Sequence, residues 1–380
     1  MNSKINILFI LPSLSRAGAE IQTVELINSL PGSIYKKHLI SFEKDIAIIS
    51  LIDQSTVTYH HVARRSKFDF GLIRDINRII FINDIDIINC SMQISLLVGW
   101  LSTRFLSKKP LLVNTLHTTI QRNNKLKIMD WILHQWLMRS CKKIICVCEN
   151  QKLHWERKFP SIKRLTQTIY NGVDVSYFDP ENQHILTWEL RDKLELPDDA
   201  FVIAHIAAFR PEKGHRILLE AFKQVVAQNP RAYLLFAGDG VLRNVILEEV
   251  VSMGLKNNVR FLGSIADVRP LLGISNLSVI ASVAVETFSI AMLESMSMKV
   301  PLVATNIGGT AEAIIPGVTG FLVQPNNVSE LSAALLSSMK DEKQLKDFGV
   351  NARQSVINHF SSQVMVEKTN KLFLDLLERY

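Results

Sequence analysis

The sequence predicts an α/β protein made of two open, mostly parallel units joined near residue 171. Three observations carry this: short apolar runs alternate with longer amphipathic segments, the alternation breaks at a turn-rich stretch, and it then restarts. At 380 residues the chain has room for two domains, each large enough to bury a core. A composition of 47% hydrophobic and 21% charged residues excludes disordered, collagen-like and low-complexity classes.

In the first part KINILFIL, the KHLISF region, DIDIINC, PLLVNTL and KKIICVC read as strands, and the segments between, among them 19–30 and 123–139, as helices. Near-continuous apolar strands separated by helical spacers indicate a parallel sheet covered on both faces. Asn171-Gly172, then Pro180 and Pro197, mark the break, because Gly, Asn and Pro favour turns. FVIAHIAAF restarts the alternation. A helix over 216–228, the strand AYLLFAG, a helix over 242–253, VRFLG, a short helix over 268–274, LSVIAS, a helix from about Ser289, VPLVAT and a strand near GFLVQP follow. The last segment carries Val364, Val366, Leu372, Phe373, Leu376 and Leu377 at helical spacing. The expected organisation is therefore 1–170, 171–360, and a C-terminal helix over 361–380. Two such units face each other across a cleft bounded by the carboxyl ends of both sheets, where open α/β folds bind ligands.

Cys90, Cys141, Cys146 and Cys148 are too few and too clustered for a disulfide framework, so a reducing, cytosolic setting is expected. The apolar stretch at the N-terminus is short, is broken by Asn6 and has no small-residue cleavage site, so it reads as a buried first strand rather than a signal peptide. The longest apolar window, Ile94 to Leu101, falls far below the ~20 residues a spanning helix needs. The net charge of +7 divides unevenly: residues 1–170 hold 24 Lys+Arg against 12 Asp+Glu, and 171–380 hold 19 against 24. An anionic surface or partner is expected for the first half only.

VETFSIAMLESM is the most informative stretch. A strand leads into a loop carrying Glu286, Thr287 and Phe288, and a helix opens near Ser289. Free N–H groups at that helix start suit a phosphate. Glu286 lies beside the anion, and Glu294, in the second turn, can accept hydrogen bonds from a polyol such as ribose. On another strand-to-helix loop, Arg210 and Lys213 can stabilise a diphosphate leaving group. Gly308 and Gly309 turn the backbone near the same edge. In the first half Gly18 lies between a strand and a helix, and His117 follows PLLVNTL at a carboxyl edge.

A dinucleotide-binding fold fares poorly. Its best match, GDGVLR, has Arg243 where a third glycine belongs, and no acidic residue lies near Arg260. There is no GxxxxGK[ST] P-loop, no HExxH and no metal-spaced cluster, so neither a cofactor nor a metal is expected.

Taken together, TIYNGVDVSYFDP, RPEKGHRILLEAF, FAGDGVLRNVILEEVVSMGLKNNVRFLG, SVAVETFSIAMLESMSMKVPLVAT and NIGGTAEAIIPGVTGFLVQP resemble the retaining glycosyltransferases of family four, over essentially the whole chain. The resemblance implies two Rossmann-like domains in the GT-B arrangement, an N-terminal domain for the acceptor, a C-terminal domain for a nucleotide-diphosphate sugar, and a C-terminal helix crossing back to the first domain. It implies that Glu286 faces the donor sugar, Glu294 the ribose, and the amides of Phe288 and Ser289 the sugar phosphate. Arg210 and Lys213 then contact the diphosphate, Gly18 lies against it and His117 touches the sugar. Four departures stand out. ETFS replaces the usual EGFG; Ala208 stands where an arginine is common, leaving that role to Arg210; Ala17-Gly18 replaces a frequent GG; and Asn276 replaces a frequent aspartate.

The expected reaction is metal-independent transfer to a hydroxyl of a glycan or lipid-linked glycan, with UDP-sugars favoured over GDP-sugars. The acceptor attacks from the face that the diphosphate leaves, and the departing phosphate oxygen takes the proton. The alternatives are a catalytically weakened nucleotide-sugar-binding subunit, a nucleotide-sugar epimerase, and a phosphorylase, which lacks a recognisable pyridoxal lysine. Residues 121–143 combine Trp131 and Trp136 with Arg122, Lys125, Lys127, Arg139, Lys142 and Lys143. A basic, aromatic helix of this kind either lies on anionic lipid at the inner face of the plasma membrane or buries its tryptophans in the core. No recognisable module accompanies the charge to suggest nucleic acid.

Overall fold

A computed structural model describes residues 4–66, 69–119, 127–182 and 184–379; the side chains of 127–132 and 184–186 are outside the description. The chain divides into two compact units, Met1–Gly172 with Ser362–Tyr380, and Val173–Ser361.

The first unit runs β1 (Ile5–Ile10), α1 (Gly18–Ser29), β2 (Tyr35–Ser41), β3 (Val57–His61), α2 (Phe70–Ile82), β4 (Ile87–Ser91), α3 (Gln93–Thr103), β5 (Leu111–Leu116), α4 (Lys127–Arg139), β6 (Lys143–Cys146), α5 (Glu149–Lys158) and β7 (Thr166–Thr168). Its strands form a parallel sheet in the order β3-β2-β1-β4-β5-β6-β7. Because side chains alternate along a strand, β1 feeds both layers. Ile7 and Phe9 pack with Val24 and Leu39 on one side, and Leu8 and Ile10 with Ile40, Ile76 and Ile88 on the other. β3, VTYHH, is an edge strand too polar to show as an apolar run. Lys37 is buried on β2, with its Nζ donating to the carbonyls of Asn28 and Leu30 at 2.9 and 3.1 Å. It thereby satisfies carbonyls that the C-terminal end of α1 leaves open.

The second unit runs α6 (His184–Lys193), β8 (Phe201–Ile206), α7 (His215–Gln228), β9 (Ala232–Ala237), α8 (Arg243–Ser252), β10 (Val259–Gly263), α9 (Arg269–Gly273), β11 (Leu277–Ile280), α10 (Ile290–Ser297), β12 (Leu302–Thr305), α11 (Thr310–Ala313), β13 (Gly320–Val323), α12 (Val328–Ser338) and α13 (Glu342–Ser355). Its parallel sheet has the order β10-β9-β8-β11-β12-β13. Asn276 closes one gap in it: its N–H donates to the Val202 carbonyl at 2.9 Å while its Oδ1 accepts from the Val202 N–H at 2.8 Å. An asparagine serves here as well as an aspartate.

The last helix, α14 (Ser362–Arg379), packs in the first unit. Phe373 is fully buried, edge-on to Phe9 and Tyr35, and the Tyr35 hydroxyl donates to Asn370 Oδ1 at 2.7 Å.

A single helix over 121–143 is not what forms. The helix spans Lys127–Arg139, and Lys143 opens β6, because burial of Cys141, Ile144 and Ile145 favours a strand over a continued surface helix. Trp136 is half-exposed and meets Trp100 edge-on at 4.4 Å. Arg122, Lys125 and the side chains of Lys127 and Trp131 lie outside the described residues.

Candidate active site

The strand order of the second sheet reverses between β8 and β11, and crevices for ligands open at the carboxyl ends of strands at such switch points. The loops leaving these two strands bring Lys213 and Glu286 together. Lys213 Nζ donates to Glu286 Oε2 at 2.7 Å, and so does the Ser282 hydroxyl, also at 2.7 Å. Glu286 is buried and Lys213 a quarter exposed. Among the described residues Glu286 Oε1 receives no hydrogen bond, so one carboxylate oxygen holds the loop while the other retains its capacity to accept. Sequence reading missed Ser282, an unremarkable serine whose importance arises only from the fold.

Glycines let these two loops, and the loop that follows β12, approach. The Val283 N–H donates to the Glu212 carbonyl at 2.9 Å. Gly214, at φ 68°, faces the Ala281 carbonyl so closely that a Cβ would overlap it. Gly308, at φ 60°, stands in the same relation to the Glu286 carbonyl, and the Gly309 N–H donates to the Thr287 carbonyl at 2.8 Å. At both positions the left-handed backbone and the missing side chain are needed together. Thr305 adds a hydroxyl bond to the Ser282 carbonyl at 2.7 Å. Beneath Lys213, buried His215 stacks on Phe209 with ring centres 4.2 Å apart, and burial pushes its pKa far down. Arg210 is exposed, on extended backbone just before Pro211–Lys213.

Ser289 gives the ETFS departure a structural role. It is the N-cap of α10, its hydroxyl accepting from the Met292 N–H at 3.4 Å, as helix-capping serines do. The Phe288 ring is buried against Phe360, centres 5.3 Å apart, so this residue has only its backbone to offer a ligand. Glu294 lies in the second turn of α10, where burial, then the nearby Asp267 charge, raises its pKa to about 7. Asp267 itself is gripped by the Arg269 guanidinium at 2.6 to 3.0 Å.

In the first unit the order reverses between β1 and β4. Gly18 is the exposed first residue of α1. The loop before it is fixed by Glu20, a buried carboxylate that the sequence did not single out. Its Oε1 accepts from Ser15 and Ser13 at 3.0 and 3.4 Å, and burial raises its pKa. Met92, following β4, has φ 73°, a conformation non-glycine residues hold only under strain, typically near functional sites. His117 follows β5. Burial lowers its pKa to about 4, and its Nε2 is without a hydrogen-bond partner among the described residues. It lines a cavity of about 30 Å³ in which Thr23, Asn89 and Asn171 alternate with Leu26, Ile145 and Met365, large enough for one or two waters. Gly18 and His117 thus belong to one unit, and Arg210, Lys213, Glu286, Phe288, Ser289 and Glu294 to the other.

Two parallel-sheet units, the second with a charged pair at its switch point, have the architecture of the GT-B glycosyltransferases. Residues 16–177 match the family described as Glycosyltransferase Family 4, and residues 187–355 that described as Glycosyl transferases group 1. The chain belongs to the family-four type of GT-B glycosyltransferases. It is 24% identical over 324 residues to the N-acetyl-alpha-D-glucosaminyl L-malate synthase of Bacillus anthracis, covering 85% of this chain and 83% of that one. It is 27% identical over 329 residues to the UDP-Gal:alpha-D-GlcNAc-diphosphoundecaprenol alpha-1,3-galactosyltransferase of Escherichia coli, covering 81% and 82%. The crystal structure of Anabaena HepE with UDP and glucose superposes with a TM-score of 0.86 at 22% identity, over 97% of this chain and 99% of that one.

Proposed function

We propose that the chain moves a hexose from a nucleotide-diphosphate sugar, UDP-linked in preference to GDP-linked, to a hydroxyl of a glycan or lipid-linked glycan. The anomeric configuration is retained and no divalent metal takes part. The observation that carries this reading is the Lys213–Glu286 pair at the β8/β11 switch point, 2.7 Å apart and fixed by Ser282. In this reading Lys213 and Arg210 stabilise the charge that develops on the leaving diphosphate, and the Phe288 and Ser289 amides bind its phosphate. Glu286 Oε1 orients the sugar, and Glu294 accepts from the ribose. Gly18 and His117 serve the diphosphate and sugar from the first unit. As the sugar–phosphate bond breaks, the acceptor oxygen bonds to the anomeric carbon and its proton passes to the departing phosphate oxygen. A neutral His117 is not required as the base. The UDP preference draws on the donor in the Escherichia coli relative's name and on UDP in the Anabaena complex; the lipid-linked acceptor draws on the former's diphosphoundecaprenol.

The test is transfer from UDP- and GDP-sugars in the presence of EDTA by the wild type, Lys213→Ala and Glu286→Ala, with the product's anomer read by NMR. Each variant should lose about a hundred-fold or more in kcat, with UDP-sugars the better donors and the anomer retained. Near-wild-type turnover in both variants would sink the site assignment; metal dependence, an inverted product or better use of GDP-sugars would overturn the corresponding part of the reading.

A further inference from the structure

Three large apolar side chains of the first unit project where α2 and α3 end. Phe105 is 91% exposed, Phe81 73% and Ile82 64%. They are neighbours. α2 and α3 are successive crossovers of a parallel sheet and run in the same direction. Asn77 Nδ2 donates to the Ser102 carbonyl at 2.7 Å, and Phe81 and Phe105 each lie about one turn further on. Lys108 Nζ, donating to Asp84 and Asp86 at 2.9 and 3.0 Å, ties the segment after α3 to the one after α2. The apolar surface continues to Trp100 on α3 and to half-exposed Trp136 on α4, with the Arg104 guanidinium 5.4 Å from the Trp100 ring centre.

Cations rim these side chains. Arg74, Arg78, Arg104 and Lys109 are exposed, Asp75 is 3.5 Å from Arg74, and Lys108 is shared between Asp84 and Asp86. Clustered exposed apolar groups mark a surface that something covers.

We infer that this face docks on an anionic lipid bilayer, with Phe81, Ile82 and Phe105 entering the headgroup boundary while the arginines and Lys109 stay among the lipid phosphates. Projecting aromatic wedges in a cationic ring suit a fluid anionic surface. The cationic surplus of residues 1–170 attracts the whole unit to such a surface. The inference deepens the lipid-linked acceptor reading, yet it stands on a face of the first unit alone.

The test is co-sedimentation of the full chain with phosphatidylcholine vesicles, with and without phosphatidylglycerol, none carrying a sugar acceptor. The wild type should bind the phosphatidylglycerol vesicles and release as salt rises. The Phe81→Ser/Phe105→Ser variant should partition about ten-fold more weakly, while Phe70→Ser, at an 86% exposed site at the start of α2, should bind as wild type does. Arg78→Glu/Arg104→Glu should lose the anionic preference. Failure of the wild type to bind, or equal binding by the Phe81→Ser/Phe105→Ser variant, overturns the inference. So does concentration-dependent self-association that the same variant abolishes in light scattering, which would make the face a protein interface. Because the vesicles lack acceptor, loss of the transfer reading leaves this result intact.

Discussion

At the carboxyl edge of the second sheet, three loops are laced by backbone contacts over Gly214 and Gly308, and a buried carboxylate is paired with a lysine. At the same edge of the first sheet, side chains do the holding. Glu20 fixes its loop through two serine hydroxyls, and His117 sits uncharged beside a small cavity of mixed apolar and polar lining. Backbone lacing sets positions to fractions of an ångström, as charge stabilisation at a reacting centre requires. Side-chain lining yields more easily.

Gly308→Ala should break this contrast most sharply. The new Cβ would overlap the Glu286 carbonyl oxygen at a φ that disfavours alanine, so the Glu286 loop must shift. Transfer should fall about a hundred-fold or more, with faster amide exchange across 286–288. Unchanged kcat would mean that the lacing does not position Glu286.

Glu294 sharpens it electrostatically. With its pKa near 7, the carboxyl is protonated at pH 6 and ionised at pH 8, where both oxygens accept. UDP affinity measured by calorimetry should rise up to about ten-fold over that interval, and Glu294→Gln should flatten the rise. Stability runs the other way. The folded-state pKa lies above the ordinary value of 4.5, so the contribution of the neutral carboxyl is fully present below about 4.5 and is lost as pH climbs through about 7. Affinity independent of pH in the wild type would remove Glu294 from the nucleotide site.

The smallest effect concerns His117. Its pKa of about 4 leaves the ring neutral from pH 6 to 8, so its NMR resonances should hold still across that range. Movement there would show an edge more open to water than the structure has it.

Much of this was legible in the sequence. The apolar runs of β8, β9, β11 and β12 announce a buried parallel sheet, and Glu286, Lys213 and Gly308 lie on loops whose strand-end positions follow from those runs. β3 escaped because VTYHH is polar along an edge. Lys37 escaped because a lysine in a strand reads as solvated, whereas two helix-end carbonyls hold its ammonium. The basic, aromatic segment was drawn to Lys143 because its charge continues that far, although the apolar run of KKIICVC already announced the strand that Lys143 opens. Ser282 and Glu20 could be found only through their side-chain partners, Glu286 for the one and Ser13 and Ser15 for the other, which the fold of each loop brings together.

The nesting of glycines against foreign carbonyls bears on engineering. Residues 208–214, 281–289 and 306–309 form a single graft: moved separately into a related scaffold, each would arrive without the carbonyl its glycine was shaped to meet, or without the glycine its carbonyl needs. Donor preference should therefore transplant with all three segments or not at all.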